Sequence, residues 1–521
     1  MSAAAKDIAA AGVRAGVWLR KVLAPGVQLR LDSRAVEPGD AFIAVAGAHA
    51  DGRDYIAQAI ERGAAAIVFD AEPLSDGARA VSAVTAAQIP VPNVGIIGLR
   101  QAIGHIGAEF YGHPGKRVRV VAVTGTNGKT SCAHWIAHGL AEPGGSGAGL
   151  IGTLGSGILA AGDGAQLESF GLTTPDAISL QRMLLRFAQA KVPTVTMEAS
   201  SIGLEQGRLA GVPVEVALFT NLTRDHLDYH GDMASYLAAK RILFATEELR
   251  VAIVNGEDPA AEVMLEAAPR DALRIAYGLS PAAEIGGYPV KRLAVARIRD
   301  AAGATEVAVR GEFGAADIRL ELLGRFNVVN ALGVAAAWIG LGMPFADAMQ
   351  RLESLRPVPG RMQRLELPDA PLAVIDYAHT PDALANVLEA LRPVASARGG
   401  RLWCVFGAGG DRDPGKRPLM GFAAEQVADR LVITSDNPRS EEPFRIVSDI
   451  RAGLSREPVM TELDRGSAIR SALDAASPAD VVLIAGKGHE NYQEIGGERL
   501  PFDDFEVARE HLVTRLGAAH V

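Results

Sequence analysis

Residues 118–123, Val-Arg-Val-Val-Ala-Val, run without a break into Thr124-Gly-Thr-Asn-Gly-Lys-Thr130, and a helix-like segment follows at 131–140. An apolar strand, a glycine loop and a helix start, in that order, constrain the fold more than any other part of the chain. They set a helix N-terminus at the carboxyl edge of a parallel sheet. Thr124, Gly125, Thr126, Asn127 and Gly128 can wrap backbone N–H groups around phosphate oxygens. Lys129 is expected to reach the β- and γ-phosphates, and the Thr130 hydroxyl to bind magnesium. Gly125 stands only three residues before Gly128, so the loop is a shortened form of the G-x-x-x-x-G-K-[ST] pattern. A plain glycine turn with an exposed lysine is the alternative. The strand and helix on either side favour binding of ATP or GTP.

The rest of the chain repeats this alternation. Short β-branched runs at 194–197, 214–219, 251–254, 372–375, 402–406, 431–434 and 481–485 are separated by longer segments of helical period. That is the pattern of parallel sheets with crossover helices, so the expected class is α/β. Polar residues just after such runs line the ligand crevice of an open sheet. At 521 residues the chain exceeds one compact core and suggests roughly three domains. Pro and Gly clusters at 112–117 and 356–361 read as linkers, which gives expected domains at 1–115, 116–356 and 357–521. Segments 142–149 and 158–166 read as small-residue loops, and 279–317 as irregular strands.

Composition excludes several function classes. Lys and Arg number 52 against 61 Asp and Glu, and the net charge of -9 disfavours nucleic acid or an anionic membrane as partner. The most apolar stretch, 331–346, is diluted by Gly and Pro and is shorter than the roughly 18 residues of a membrane span. Lys6, Asp7 and Arg14 interrupt the alanine-rich start, so no secretory signal is expected. Cys132 and Cys404 fit neither a disulfide framework nor a zinc spacing, and a reducing cytoplasm is the expected location.

Two further motifs follow strands and so face the same crevice as the phosphate loop: Met197-Glu-Ala-Ser-Ser201 and Asn221-Leu-Thr-Arg-Asp-His-Leu-Asp228. Magnesium takes hard oxygen donors, usually one or two protein carboxylates with phosphate oxygens and water. Taken alone, His226 reads as a loop histidine with its hydrogen bonds met. Residues 233–249 have helical period and place Tyr236 and Lys240 on one face, where Lys240 alone reads as a solvated lysine.

The Thr124–Thr130 loop resembles the ATP loop of the Mur ligases and of their relative folylpolyglutamate synthase, which form amide bonds through an acyl-phosphate. The resemblance covers nearly the whole chain, apart from about the first 25 residues and the loops around 142–149, 158–166 and 279–317. It implies three domains, with a central P-loop-type, mostly parallel sheet flanked by an N-terminal α/β nucleotide-sugar domain and a C-terminal Rossmann-like domain. By resemblance, Lys129, Glu198, His226 and Lys240 are catalytic. Thr130, Glu198, His226 and a carbamylated Lys240 hold magnesium. Carbamylation would turn a cation beside the metal into an anion. Asn330 in Gly324-Arg-Phe-Asn-Val-Val-Asn330 matches a position near the adenine, and Arg361 and Asp376, the latter in Asp376-Tyr-Ala-His-Thr-Pro381, match positions that close over the nucleotide. Gly324 to Asn330 also reads simply as a capped helix start.

Leu31-Asp-Ser-Arg34, Val36-Glu-Pro-Gly-Asp40 and Gly47-Ala-His-Ala-Asp-Gly-Arg53 resemble the domain with which Mur ligases adding the third peptide residue recognise a uridine nucleotide. Leu31, Ser33, Ala48, His49 and Ala50 match nucleotide-contacting positions there. Thr173, Thr174, Ser200, Gln206 and Arg208 match positions that hold the muramoyl-peptide. Two residues depart from the family pattern: Ile202 stands where a His often follows the paired serines, and Leu172 where many relatives have Asn. Folylpolyglutamate synthase lacks the first domain, so its presence favours the wall precursor as substrate.

Asp436-Asn-Pro-Arg439 matches the signature of the ligases that use meso-diaminopimelate. A second amino-acid centre offers a carboxylate that suits a bidentate guanidinium such as Arg439, whereas lysine offers only an ammonium there. Arg412, Asp436, Asn437, Pro438, Gly486 and Glu490 complete the matched pocket, with Glu490 expected to pair the distal ammonium. A proline turn with an exposed arginine is the structural alternative. The expected reaction is ATP-dependent addition of meso-diaminopimelate to the D-glutamyl γ-carboxylate of UDP-N-acetylmuramoyl-L-alanyl-D-glutamate, by a monomer with magnesium as cofactor. The rivals are a lysine-adding ligase, folylpolyglutamate synthase, and a P-loop nucleotide switch, which would leave the Asp-Asn-Pro-Arg turn without purpose.

Overall fold

The computed structural model describes residues 3–47, 50–71, 88–142, 144–160, 167–301 and 304–519. Among the described residues, beside two short hairpins, Glu284–Ile285 with Tyr288–Pro289 and Tyr492–Ile495 with Glu498–Pro501, three larger sheets follow one another along the chain. The first has four parallel strands in the order Leu29–Arg30, Ala41–Ala44, Ala66–Asp70, Asn93–Ile96. Helices Ala3–Val22 and Leu99–Phe110 cover one of its faces, burying Leu19, Ile103 and Ile106 against Ile43 and Val68.

The central sheet has ten strands. Its parallel block runs Lys291–Ala301, Leu273–Gly278, Val251–Asn255, Val214–Phe219, Arg119–Thr124, Thr194–Glu198, Ala148–Gly152. Arg119–Thr124 lies between two strands that come later in the sequence, so the direction of winding reverses at its carboxyl end, where such sheets bind ligands. Alternation along this strand sends Val121 and Val123 to one core with Trp135 and Trp338, and Val120 and Ala122 to the other with Leu180, Leu184 and Phe187. The helix Lys129–Leu140 approaches Arg325–Gly340 so closely that Gly139 leaves no room for a side chain beside the Trp338 ring.

The third sheet has the order Gln363–Leu365, Leu372–Asp376, Val481–Ala485, Leu402–Phe406, Arg430–Ile433, Met460–Thr461, parallel except at the first pair. Helices Pro381–Ala397 and Lys416–Val427 bury one face, and Arg465–Ala475 and Asp504–Ala519 the other.

The α/β class is as expected, and every predicted strand run falls within two residues of an observed strand. Three local expectations are corrected. Residues 279–317 hold long regular strands, because Lys291–Ala301, Ala304–Gly311 and Gly314–Leu320 pair antiparallel and extend the central sheet. The loops placed at 142–149 and 158–166 give way at their inner ends to the hairpin Ala148–Gly152 and Gly155–Leu159. The helix expected to reach 249 stops at Phe244. In the first two cases sheet pairing overrode a composition rich in small residues.

Candidate active site

The phosphate loop is braced from the neighbouring strand end. Thr126 N–H donates to Asn221 O at 2.8 Å, Asn127 N–H to Asn221 Oδ1 at 2.9 Å, and Thr220 Oγ1 to Asn127 O at 2.6 Å. Gly125 adopts φ +149°, and a side chain there would run into Thr220 Oγ1, so only glycine fits. Lys129 Nζ donates to Gly125 O at 2.9 Å and Thr126 O at 2.7 Å, which folds it across the loop. The Asn330 amide lies against Gly128, so this candidate meets the phosphate end of the site.

Thr130 is the meeting point. Its hydroxyl donates to Glu198 Oε2 at 2.9 Å and accepts from Arg361 Nη2 at 3.0 Å. Glu198 also accepts from Thr153 N–H at 2.7 Å and Thr153 Oγ1 at 3.2 Å, and it is buried at the end of Thr194–Glu198. The Arg361 guanidinium stacks 4.2 Å from the centre of the Tyr377 ring. Asp376 is turned to the backbone, accepting from Met362 N–H and Ala378 N–H at 2.8 Å each, which ties the segment after the second linker to the third sheet.

Lys240 Nζ donates to the same Gly125 carbonyl as Lys129, at 2.9 Å. Two buried ammoniums so placed repel each other. Burial first, and then the Lys129 charge, hold the Lys240 amine far below its ordinary value. Burial also pushes His226 down to about 3, the charge of Asp225 opposing and that of Lys129 assisting, so the imidazole is a neutral donor. Asp225 faces His226 at 3.4 Å, His379 at 3.5 Å and Lys416 at 3.3 Å. Burial alone would raise its carboxyl, but the His379 bond and the Lys416 and His226 charges hold it well below the carboxylate range.

Among the described residues no three His, Cys, Asp or Glu side chains form a metal-holding group by themselves. Magnesium does not require one. Glu198 and the Thr130 hydroxyl, 2.9 Å apart beside the phosphate loop, are hard oxygens of the kind that magnesium takes together with phosphate oxygens and water.

The muramoyl-peptide candidates share the Glu198 end of the cleft. Thr173 Oγ1 accepts from Thr153, Thr174 Oγ1 donates to Glu198 O at 2.9 Å, and Ser200 caps Ser201–Glu205 by accepting from Gly203 N–H. Arg208 donates to Thr174 O at 2.6 Å and Gln206 Oε1 at 2.7 Å, and Gln206 donates to Tyr229. Leu172 is exposed beside this group and Ile202 partly so. Leu31 and Ser33 follow the first strand Leu29–Arg30, Ser33 opening the short 3-10 helix Ser33–Ala35 and bonded to Gln58 at 2.7 Å, and Ala50 is exposed. Ala48 and His49 lie outside the described residues.

In the third sheet, Asp436, Asn437, Pro438 and Arg439 follow Arg430–Ile433, and Gly486 and Glu490 follow Val481–Ala485. Glu490 accepts from Asn437 Nδ2 at 2.8 Å and Lys487 Nζ at 3.0 Å, so its charge is already paired within the pocket wall. Arg439 adopts φ +54°, donates to Gly410 O at 2.6 Å and lies 3.6 Å from Glu494. Arg412 donates to the carbonyl of Asp411, next to it in the chain.

Among the nucleotide and metal candidates, Glu198 and Arg361 meet at Thr130, Lys129 and Lys240 meet at Gly125 O, and His226 lies against Asp225; the amino-acid candidates lie beyond strand ends of the third sheet. Sequence reasoning missed Thr153, Asp225, His379, Lys416, Lys487 and Tyr377. Asp225, His379, Tyr377 and Lys487 sit inside stretches that were singled out, and their position after strands was the available signal.

The pattern described as Mur ligase middle domain matches residues 123–338, the one described as Mur ligase, glutamate ligase domain matches 360–488, and the one described as Mur ligase family, catalytic domain matches 27–111. The chain is 46% identical over 513 residues to a UDP-N-acetylmuramoyl-L-alanyl-D-glutamate–2,6-diaminopimelate ligase of Acidovorax sp. (strain JS42), covering 96% of this chain and 97% of that one. It is 46% identical over 499 residues to the ligase of the same description from Janthinobacterium sp. (strain Marseille), covering 95% of each. A solved structure of a ligase so described superposes with a TM-score of 0.62 at 34% identity, covering 94% of this chain and 95% of that one.

Proposed function

The chain belongs to the Mur ligase family, and on that premise we propose that it is an ATP-dependent ligase joining 2,6-diaminopimelate to UDP-N-acetylmuramoyl-L-alanyl-D-glutamate in peptidoglycan precursor synthesis. The observation that carries the reading is the Thr130 hydroxyl, which joins the phosphate loop to Glu198 on one side and to Arg361 of the second linker on the other.

ATP phosphorylates the D-glutamyl γ-carboxylate, and the amine of the meso isomer attacks the acyl-phosphate. Lys129 turns from the Gly125 and Thr126 carbonyls to the phosphates, and Thr130, Glu198, His226 and Lys240 as its carbamate would hold magnesium. Magnesium, when bound, neutralises charge on the transferring phosphoryl group. Lys240 is carbamylated. Its depressed amine is the form that adds carbon dioxide, and a carbamate would end the repulsion from Lys129 across Gly125 O. Asn330, Arg361 and Asp376 border the nucleotide. Thr173, Thr174, Ser200, Gln206 and Arg208 hold the muramoyl-peptide, and Leu31, Ser33 and the Ala48-His49-Ala50 turn hold the uridine end.

Arg412, the turn from Asp436 to Arg439, Gly486 and Glu490 receive diaminopimelate. Arg439 takes the distal carboxylate, a role supported by its planar guanidinium, which is anchored through Nη1 to Gly410 O. The units are divided at 115/116 and 356/357. The enzyme acts as a monomer in the cytoplasm, a location that suits a chain with both cysteines free and buried.

The test is phosphate release from ATP with the UDP-dipeptide precursor, comparing meso-diaminopimelate with L-lysine. Release with diaminopimelate alone is expected. Equal release with lysine would remove the specificity, and no release with either would remove the ligase reading.

A further inference from the structure

Arg465 opens the helix Arg465–Ala475, and its side chain is completely buried. Its guanidinium donates to Asp504 through Nε at 2.8 Å and Nη2 at 2.7 Å, to Ser435 O through Nη1 at 3.2 Å, and to Ala485 O through Nη2 at 2.9 Å. Asp504 is equally buried and comes from the helix Asp504–Ala519.

The two carbonyls are not arbitrary partners. Ser435 immediately precedes Asp436, and Ala485 immediately precedes Gly486. They stand at the carboxyl ends of Arg430–Ile433 and Val481–Ala485, two strands that do not pair because Leu402–Phe406 lies between them. At their roots no strand pairing joins these loops; farther out, Arg439 N–H donates to Glu494 O at 3.0 Å and Gly496 N–H donates to Arg439 O at 2.8 Å. The arginine fork spans that gap from beneath. Above it the loops meet: Lys487 Nζ donates to Asn437 Oδ1 at 2.9 Å, and a side chain at Gly486 would lie 2.5 Å from Asp436 Oδ2.

We propose that Arg465 is a positioning residue for amino-acid selection, fixing the separation of the Asp436–Arg439 and Gly486–Glu490 walls and so the fit of the distal amino-acid centre. This rests on the ligase reading above. A pair that served only stability would need Asp504 alone. The donors aimed at the roots of both walls are what a planar guanidinium supplies and a lysine cannot, since a single ammonium cannot bridge both carbonyls and the carboxylate.

The experiment is steady-state kinetics of Arg465→Lys with each substrate varied in turn. The expected result is a KM for diaminopimelate raised about tenfold or more, with the KM values for ATP and the UDP-dipeptide changed less than twofold and discrimination against L-lysine reduced. An unchanged diaminopimelate KM, or three KM values rising together, would overturn the proposal. If Arg465→Lys does not fold, the double variant Arg465→Lys/Asp504→Glu, which lengthens the acid to meet the shorter cation, is measured in its place and must show the same split. Wild-type enzyme inactive with diaminopimelate would instead remove the ligase reading, so the two failures are distinguishable.

Discussion

Lys416 Nζ lies 3.3 Å from Asp225 Oδ1, and each side chain is 6% exposed. One residue starts a helix packed on the third sheet and the other follows a strand of the central sheet, so the pair joins the two sheets' units. Arg224 repeats the link, bonding Asp413 at 2.9 Å. The pair lets the third unit seat against His226 without leaving a charge uncompensated.

Removing one partner should therefore be costly. Asp225→Ala leaves the Lys416 ammonium buried alone, and a loss of about 3–5 kcal/mol is expected in urea unfolding. The double variant Asp225→Ala/Lys416→Met should lose less than the sum of Asp225→Ala and Lys416→Met, and strict additivity of those two single losses would show that the pair is not coupled.

Lys129→Ala should lower ATP-dependent phosphate release by about 100-fold or more while the circular dichroism spectrum stays unchanged, because the lost charge acts on developing phosphate charge. Retained turnover would place phosphate binding elsewhere.

Gly152 lies against Glu198, and a methyl at that position would collide with Oε1. Gly152→Ala should push the carboxylate from Thr130 and reduce kcat by about tenfold or more at saturating substrate, with little change in thermal midpoint. A wild-type kcat would show that the Thr130–Glu198 contact is dispensable.

Burial pushes His134 down to about 4, and burial with the Arg361 and Lys487 charges pushes His489 down to about 3. Both are depressed below the unfolded value near 6.5, so their contribution is fully present above that pH. Between about 6.5 and 4 the unfolded chain binds protons that the native one refuses, each adding a slope of about 1.4 kcal/mol per pH unit. Unfolding free energy measured at pH 7, 6 and 5 should fall stepwise, and the His134→Phe/His489→Phe variant should show a shallower fall.

Arg439→Lys keeps the charge but loses the fork. The KM for diaminopimelate should rise about 10- to 100-fold and the preference over L-lysine should shrink by a similar factor. An unchanged preference would assign selection to another group.

Much of the site was readable before any fold was known. The phosphate loop declares itself because strand, glycines and helix start are contiguous, and Glu198 and the turn from Asp436 to Arg439 could be proposed because both follow strand-like runs. Glu490 shows the limit. Its position could be read, and Lys487 is only three residues away, but its bond to Asn437 joins loops 53 residues apart. The regular antiparallel strands of 291–320 were hidden for the opposite reason, since small and charged residues form strands there only through sheet neighbours.

By itself the sequence determined the α/β class, the phosphate loop and the order of the strand runs, because each depends on residues adjacent in the chain. Only the tertiary structure decided that Lys129 and Lys240 share the Gly125 carbonyl, that Asp225 meets Lys416 across 191 residues, and that Arg465 ties Ser435 to Ala485. Those contacts join distant segments through buried charges, and nothing local in the chain distinguishes such a residue from one left in solvent.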